Sequence, residues 1–145
     1  MRGFISRAES EKSVDLVLGG DLVGSTVRLW TAIANPLSPR SVNTDFTEAA
    51  FDGYAGKVLG AKVGPYINPQ GEASIVFPLL AWLMTGSTTP EVVRGWYILA
   101  PGTTFLAGGQ FDQPVNMLDE TSALLLVLEP ALSLSAIIIR AEPLT

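Results

Sequence analysis

Between residues 57 and 140 the chain runs as short apolar stretches, each cut by a turn carrying glycine or proline. Apolar runs near 57–63, 73–77, 92–100, 103–107, 123–128 and 132–140 are separated by GPYINPQG, TGSTTP, APG, GGQFDQP and EP. Glycine supplies positive φ and proline a fixed φ, so each separator reverses the chain, and runs of this length with such turns are the pattern of an antiparallel sandwich or barrel. Upstream, TVRLWTAI alternates Val27, Leu29, Thr31 and Ile33 with Arg28, Trp30 and Ala32, the period of a half-buried strand. NPLSPR at 35–40 is a loop, because Pro36 and Pro39 hold the residues before them out of the helical region. LLLVL and AIIIR are apolar without alternation, so both of their faces are expected to be covered, one by the opposing sheet and the other by a neighbouring subunit. The sequence therefore predicts a mainly β protein: a single antiparallel β-sandwich, jelly-roll-like, over 26–145, with one short helical turn at 46–52 and an extended amino-terminal arm over 1–25. No internal repeat and no low-complexity segment interrupts it.

A chain of 145 residues removes roughly 68–70% of its surface from water on folding. Hydrophobic residues make up 48% and charged residues only 16%, against about 25% charged in an ordinary soluble domain. Too few charges remain to coat the outside, which points to apolar surface buried against a partner, most simply other copies of the same chain. The net charge of −5 argues against nucleic acid, whose phosphates are bound by excess Lys and Arg. On the arm, Arg2, Arg7 and Lys12 alternate with Glu9, Glu11 and Asp15, so no basic patch forms there. The charges in MRGFISRAESEKSVDLVLGG fall where a signal peptide needs its apolar run. ASIVFPLLAWLM (73–84) is too short for a membrane span of about 20 residues, and LLLVLEPALSLSAIII (124–139) is interrupted by Glu129 and Pro130, so both predict buried strands and no membrane partner.

Cysteine and histidine are both absent. That excludes disulfides, a thiolate nucleophile, a Ser-His-Asp triad and the common zinc sites, leaving carboxylates, Lys, Tyr or a Ser-Lys pair for any chemistry. DFTEAAFDGYAG (45–56) brings three carboxylates, Asp45, Glu48 and Asp52, close together in the folded part of the chain. Asp45 or Thr47 can cap a first helical turn, Glu48 suits its positive end, Gly53 can take positive φ where it stops, and Phe46, Ala50, Phe51 and Tyr54 supply an apolar face. The competing readings let Asp45, Glu48 and Asp52 hold a cation or act as paired acids, although the longer oxygen-ligand series of a calcium loop is missing.

GKVLGAKVG carries glycines at 56, 60 and 64, but Val58 after Lys57 breaks the phosphate-loop pattern, and a bent strand is expected. Ser10 and Lys12 form a conceivable dyad, yet on a polar arm the lysine is not desolvated enough to act as a base. Trp30, Trp82, Trp96, Tyr97 and Phe111 suit either core and subunit packing or a sugar-binding platform.

The order of features also resembles small structural proteins of tailed bacteriophages and environmental viral sequences. The residues that carry it are Asn35-Pro36, then Asp45-Phe46-Thr47-Glu48-Ala49 with Phe51-Asp52-Gly53-Tyr54-Ala55, then Gly95-Trp96-Tyr97-Ile98 and Leu106-Ala107 before Phe111, over roughly residues 27–135. Gly108, Gly109 and Gln110 stand where that family often has a charged pair, and the arm is additional. The resemblance implies a β-sandwich virion component with no catalytic residues to carry over and no cofactor. The expected role is a capsid decoration or cement protein: a homo-oligomer, a trimer, on the outer surface of the shell, in contact with the major capsid protein and made in the host cytoplasm. Its oligomer or shell contacts are expected at Phe4, Ile5, Leu16, Leu18, Trp30, Trp82, Trp96 and Phe111. The alternatives are a tail or spike subunit whose Trp and Tyr side chains contact host-surface glycans, and a histidine-independent enzyme using Asp45 and Asp52.

Overall fold

The computed structural model describes residues 22–38, 40–101, 104–133 and 136–144. They form the strands β1 (Thr26–Ile33), β2 (Phe46–Glu48), β3 (Lys57–Val58), β4 (Val63–Ile67), β5 (Ala73–Val76), β6 (Leu80–Leu83), β7 (Glu91–Leu99), β8 (Phe105–Met117), β9 (Ala123–Leu126), β10 (Glu129–Ser133), β11 (Ala136–Arg140) and β12 (Pro143–Leu144). The pairings between them are antiparallel. One sheet has the order β2-β1-β7-β8, with β3 also on β1; the remaining strands pair as β11-β10-β5-β4 and β12-β9-β6.

Register shows that the last two groups are halves of one bent sheet. Pro130 faces Ile139 between β10 and β11, and Leu126 faces Pro143 between β9 and β12, an unchanged offset across the break. On the other side, Ala73 faces Leu132 and Leu80 faces Leu126, a slip of a single residue, and the Phe77 N–H to Leu128 O bond of 3.1 Å lies between them. That slip reverses the side-chain alternation. Ala73, Ile75 and Phe77 point into the core before it, and Leu80, Trp82 and Met84 point in after it. The protein is thus an antiparallel β-sandwich, whose main core joins Val27, Leu29, Trp96 and Ile98 of one sheet to Ile75, Phe77, Trp82, Leu124 and Leu126 of the other.

Two indoles seated on glycines hold β1, β7 and β8 together. Trp30 lies opposite Gly95, and Trp96 lies opposite Gly109. A Cβ on Gly95 would sit 2.4 Å from Trp30 Cε2 and 2.2 Å from the Gly109 carbonyl oxygen, and one on Gly109 would sit 2.6 Å from Trp96 Nε1. Only glycine leaves room for these rings. The Trp30 indole N–H donates to the carbonyls of Trp96 (3.2 Å) and Gly109 (3.1 Å), so the ring is satisfied as well as packed. Around Trp30 a second cluster covers the outer face of this sheet, with Phe46 stacked on Tyr97 at 4.3 Å and Phe105 at 5.5 Å from Phe46.

Several expectations are corrected. The helical turn is a 3-10 turn at Asn43–Asp45, not at 46–52, where Phe46–Glu48 pairs with β1 instead. GGQFDQP is not a turn: it lies inside β8, whose glycines serve the indoles, while the residues between Gln110 and Val115 bulge out so that Pro114 needs no ladder partner. Pro65 sits in β4, an edge strand, and Pro130 sits near the start of β10, ahead of its pairing with β5. Residues 22–25, expected in the arm, pack on the domain instead. Leu22 and Ser25 are buried, Gly24 N–H donates to Leu59 O at 3.0 Å and Leu59 N–H to Ser25 O at 2.9 Å, while residues 1–21 lie outside the described residues.

The indole seats predict a sharp contrast between glycines. Gly95→Ala should lower stability by about 3 kcal/mol, the upper range for overpacking, whereas Gly60→Ala, whose new Cβ meets nothing nearer than 3.9 Å, should be close to neutral. Urea unfolding midpoints of the two variants measure this.

Candidate functional site

The structure separates the three carboxylates of DFTEAAFDGYAG. Asp45 closes its own turn, accepting from the Val42 N–H at 3.0 Å and from Asn35 Nδ2 at 3.2 Å. Glu48 accepts from the Tyr54 hydroxyl at 2.8 Å and from Arg28 at 3.1 Å. Asp52 accepts from the Thr88 hydroxyl at 2.5 Å, the Thr88 N–H at 2.8 Å and the Thr89 hydroxyl at 2.9 Å. Among the described residues no group of three or more His, Cys, Asp or Glu side chains is placed to hold a metal ion. Hydrogen bonds from the Thr88 side chain and backbone, then from Thr89, hold the Asp52 carboxyl below its ordinary range. Gly53, at φ 85°, leaves Thr85 room to approach, and Thr85 N–H donates to Asp52 O at 2.9 Å. Asp52 therefore latches the 85–90 loop to the 51–54 turn.

Tyr54 fills a gap in the ladder. Where the β1–β2 register shifts, its hydroxyl accepts from the Leu29 N–H at 3.1 Å while donating to Glu48. Burial pushes the phenol well above its usual pKa, opposed by the Leu29 bond and aided by Glu48. A comparable polar knot ties the far end of the bent sheet. Buried Asn68 donates to Glu72 and Glu129, both at 3.0 Å, and accepts from the Gln70 and Glu72 N–H groups, while Arg140 grips Glu72 through both guanidinium nitrogens.

Two surface features stand beside these networks. The first is the outer face of the β6–β9–β12 half-sheet. Because Leu80, Trp82, Leu124 and Leu126 point inward, Ala81, Leu83, Ala123, Leu125 and Leu144 point out; Ala81 faces Leu125, Leu125 faces Leu144, and Leu83 faces Ala123. Leu83 is 60% exposed and Leu79 and Leu144 are each 53% exposed, an apolar surface where an antiparallel sandwich ordinarily places polar residues. The second is the seam between the edge of β8 and the β11–β12 edge, which holds two clefts of about 500 and 510 Å³ that meet at Glu142.

Of the expected contact residues, Trp30, Trp82, Trp96 and Phe111 are at most 3% exposed. They are core side chains, spent on sheet-to-sheet packing and on the glycine seats, and only Trp96 shows a margin, at the seam cleft beside β8. Phe4, Ile5, Leu16 and Leu18 lie outside the described residues. The outward leucines at 79, 83 and 144 went unnamed by the sequence reading, although the unbroken LLLVL run had announced a strand apolar on both faces. No family model, no curated protein and no solved structure matches this chain.

Two measurements follow from the latches. Folding raises the Tyr54 pKa, so its contribution is complete below the unfolded phenol value of about 10 and is lost as pH climbs through the folded value. Tyr54→Phe should cost about 1–3 kcal/mol at neutral pH and flatten the decline in melting temperature above pH 10. Asp52→Ala should speed amide exchange at Thr88 while leaving the indole fluorescence of the core unchanged.

Proposed function

We propose that this chain is a structural subunit of a tailed-bacteriophage virion, a decoration or cement protein that acts as a homo-oligomer, a trimer, on the outer surface of the capsid and against the major capsid protein. The observation that carries this reading is the outward apolar face of β6, β9 and β12. Burial of such surface is worth about 25 cal/mol per Å² before the costs of association, and a protein acting by contact needs a face of this kind. The composition supports the same reading, since only 16% of residues are charged. Each carboxylate of the one acid-rich motif is committed to a structural bond, which leaves the enzyme alternative without a free acid-base pair there. Trp30, Trp82, Trp96 and Tyr97, the side chains a glycan-binding spike subunit would present, are buried, so no observation favours that alternative.

Sedimentation of the purified chain should report an oligomer that Leu83→Asp combined with Leu79→Asp converts to a folded monomer. Peptide mass spectrometry of purified virions should recover the protein with the particles. A wild-type chain that stays monomeric at high concentration overturns the proposal.

A further inference from the structure

The seam beside β8 is an unfinished sheet edge with an apolar slot next to it. The Gly109 carbonyl accepts from Trp30 and lies against Gly95, so the polar backbone groups of Gly109 turn toward β7. Neighbouring residues of an antiparallel strand direct theirs to opposite edges. Gly108 and Gln110 therefore aim theirs at the free edge of β8, which has no further strand among the described residues. One position later on that edge, a side chain already stands in for a missing strand: Asp112 N–H donates to Glu142 Oε2 at 3.2 Å. The adjoining cleft is lined on its apolar side by Trp96, Val127, Ile139 and Ala141.

We propose that this edge and cleft accept residues 14–18 (VDLVL) of a second copy as an added β-strand, backbone to backbone along Gly108 and Gln110, with alternate apolar side chains entering the cleft. The inference rests on the assembly reading above and names the site and the segment that join the copies. Strand addition of this kind draws its affinity from main-chain bonds and its selectivity from pockets for alternate side chains. Val14, Leu16 and Leu18 have that alternation. A neighbour is the donor because of where the described chain begins. Residues 22–25 are anchored beside Leu59, next to β3, on the opposite edge of the first sheet from β8.

The chain contains no cysteine, so engineered thiols report without background. Full-length Leu16→Cys protein mixed with Gln110→Cys protein and treated with a short bis-maleimide should give a covalent dimer. Leu16→Cys mixed with Val42→Cys, a control at an exposed site on the other side of the sheet, should give none. Equal dimer in both mixtures overturns the proposal. So does a link formed only within a Leu16→Cys/Gln110→Cys double variant, which assigns the seam to the chain's own segment. An oligomer by sedimentation with no crosslink in either mixture overturns the seam and leaves the assembly reading standing; a monomer with no crosslink overturns both.

Discussion

The indole rings of Trp30 and Trp96, each pressed onto a glycine of the neighbouring strand, set the register on which the rest of the sandwich depends. The two rings lie on opposite faces of the first sheet, Trp30 in the outer cluster and Trp96 in the main core. A shift of β7 or β8 by one residue would slide a Cβ beneath an indole and reverse every side chain on the strand. Glycine inside a strand is weakening on its own, by roughly 0.5–1 kcal/mol relative to alanine. Each indole returns more than that by burying on the order of 150–250 Å², and Trp30 also closes its N–H onto backbone carbonyls. The cost appears elsewhere, because a glycine pair on an edge strand brings no side chains of its own to that margin of the sandwich.

The second sheet depends on its bulge in the same way. Reversing the alternation at Phe77–Leu80 keeps both halves facing the core while allowing the sheet to bend around it. The two halves then take different characters on the outside. Near Asn68 and Arg140 charges are gathered into a satisfied network, and around Leu83 and Leu144 the surface is apolar. Exposed apolar side chains also occur elsewhere, at Val23, Val42, Val58, Val63 and Leu118, but on this half-sheet they line up on one face of paired strands.

Strands marked by alternation or by an apolar run between turns were legible in the sequence: β1, β5, β7 and β9 lie where those runs placed them. Elements whose residues answer to a distant partner were not. Gly108-Gly109 carries the local signature of a turn, and only the indole of Trp96 explains why it runs straight. Phe46-Thr47-Glu48 has helix-start chemistry around it, but the stack of Phe46 on Tyr97 and pairing with Ile33 outweigh local preference. The same limit governs the contact residues. Large aromatics are the most valuable side chains for a core and for an interface alike, so their identity does not say which they serve. Parity does: once Trp82 and Leu124 are known to point inward, Leu83 and Leu125 must point out.

The acid-rich motif shows how a pattern suggestive of chemistry can be structural throughout. A general base at neutral pH needs a raised pKa and lone pairs free to take a proton. The hydrogen bonds to Asp52 do the opposite on both counts, filling its oxygens with hydroxyl and amide donors and stabilising the ionised form. Glu48 likewise spends one oxygen on Arg28 and the other on Tyr54. The result is a pair of fasteners: Glu48 with Tyr54 repairs the irregular margin of β1, and Asp52 ties the turn after β2 to the loop that carries the chain from β6 to β7. That loop is a crossing between the two sheets, so the motif holds the sandwich shut at one end.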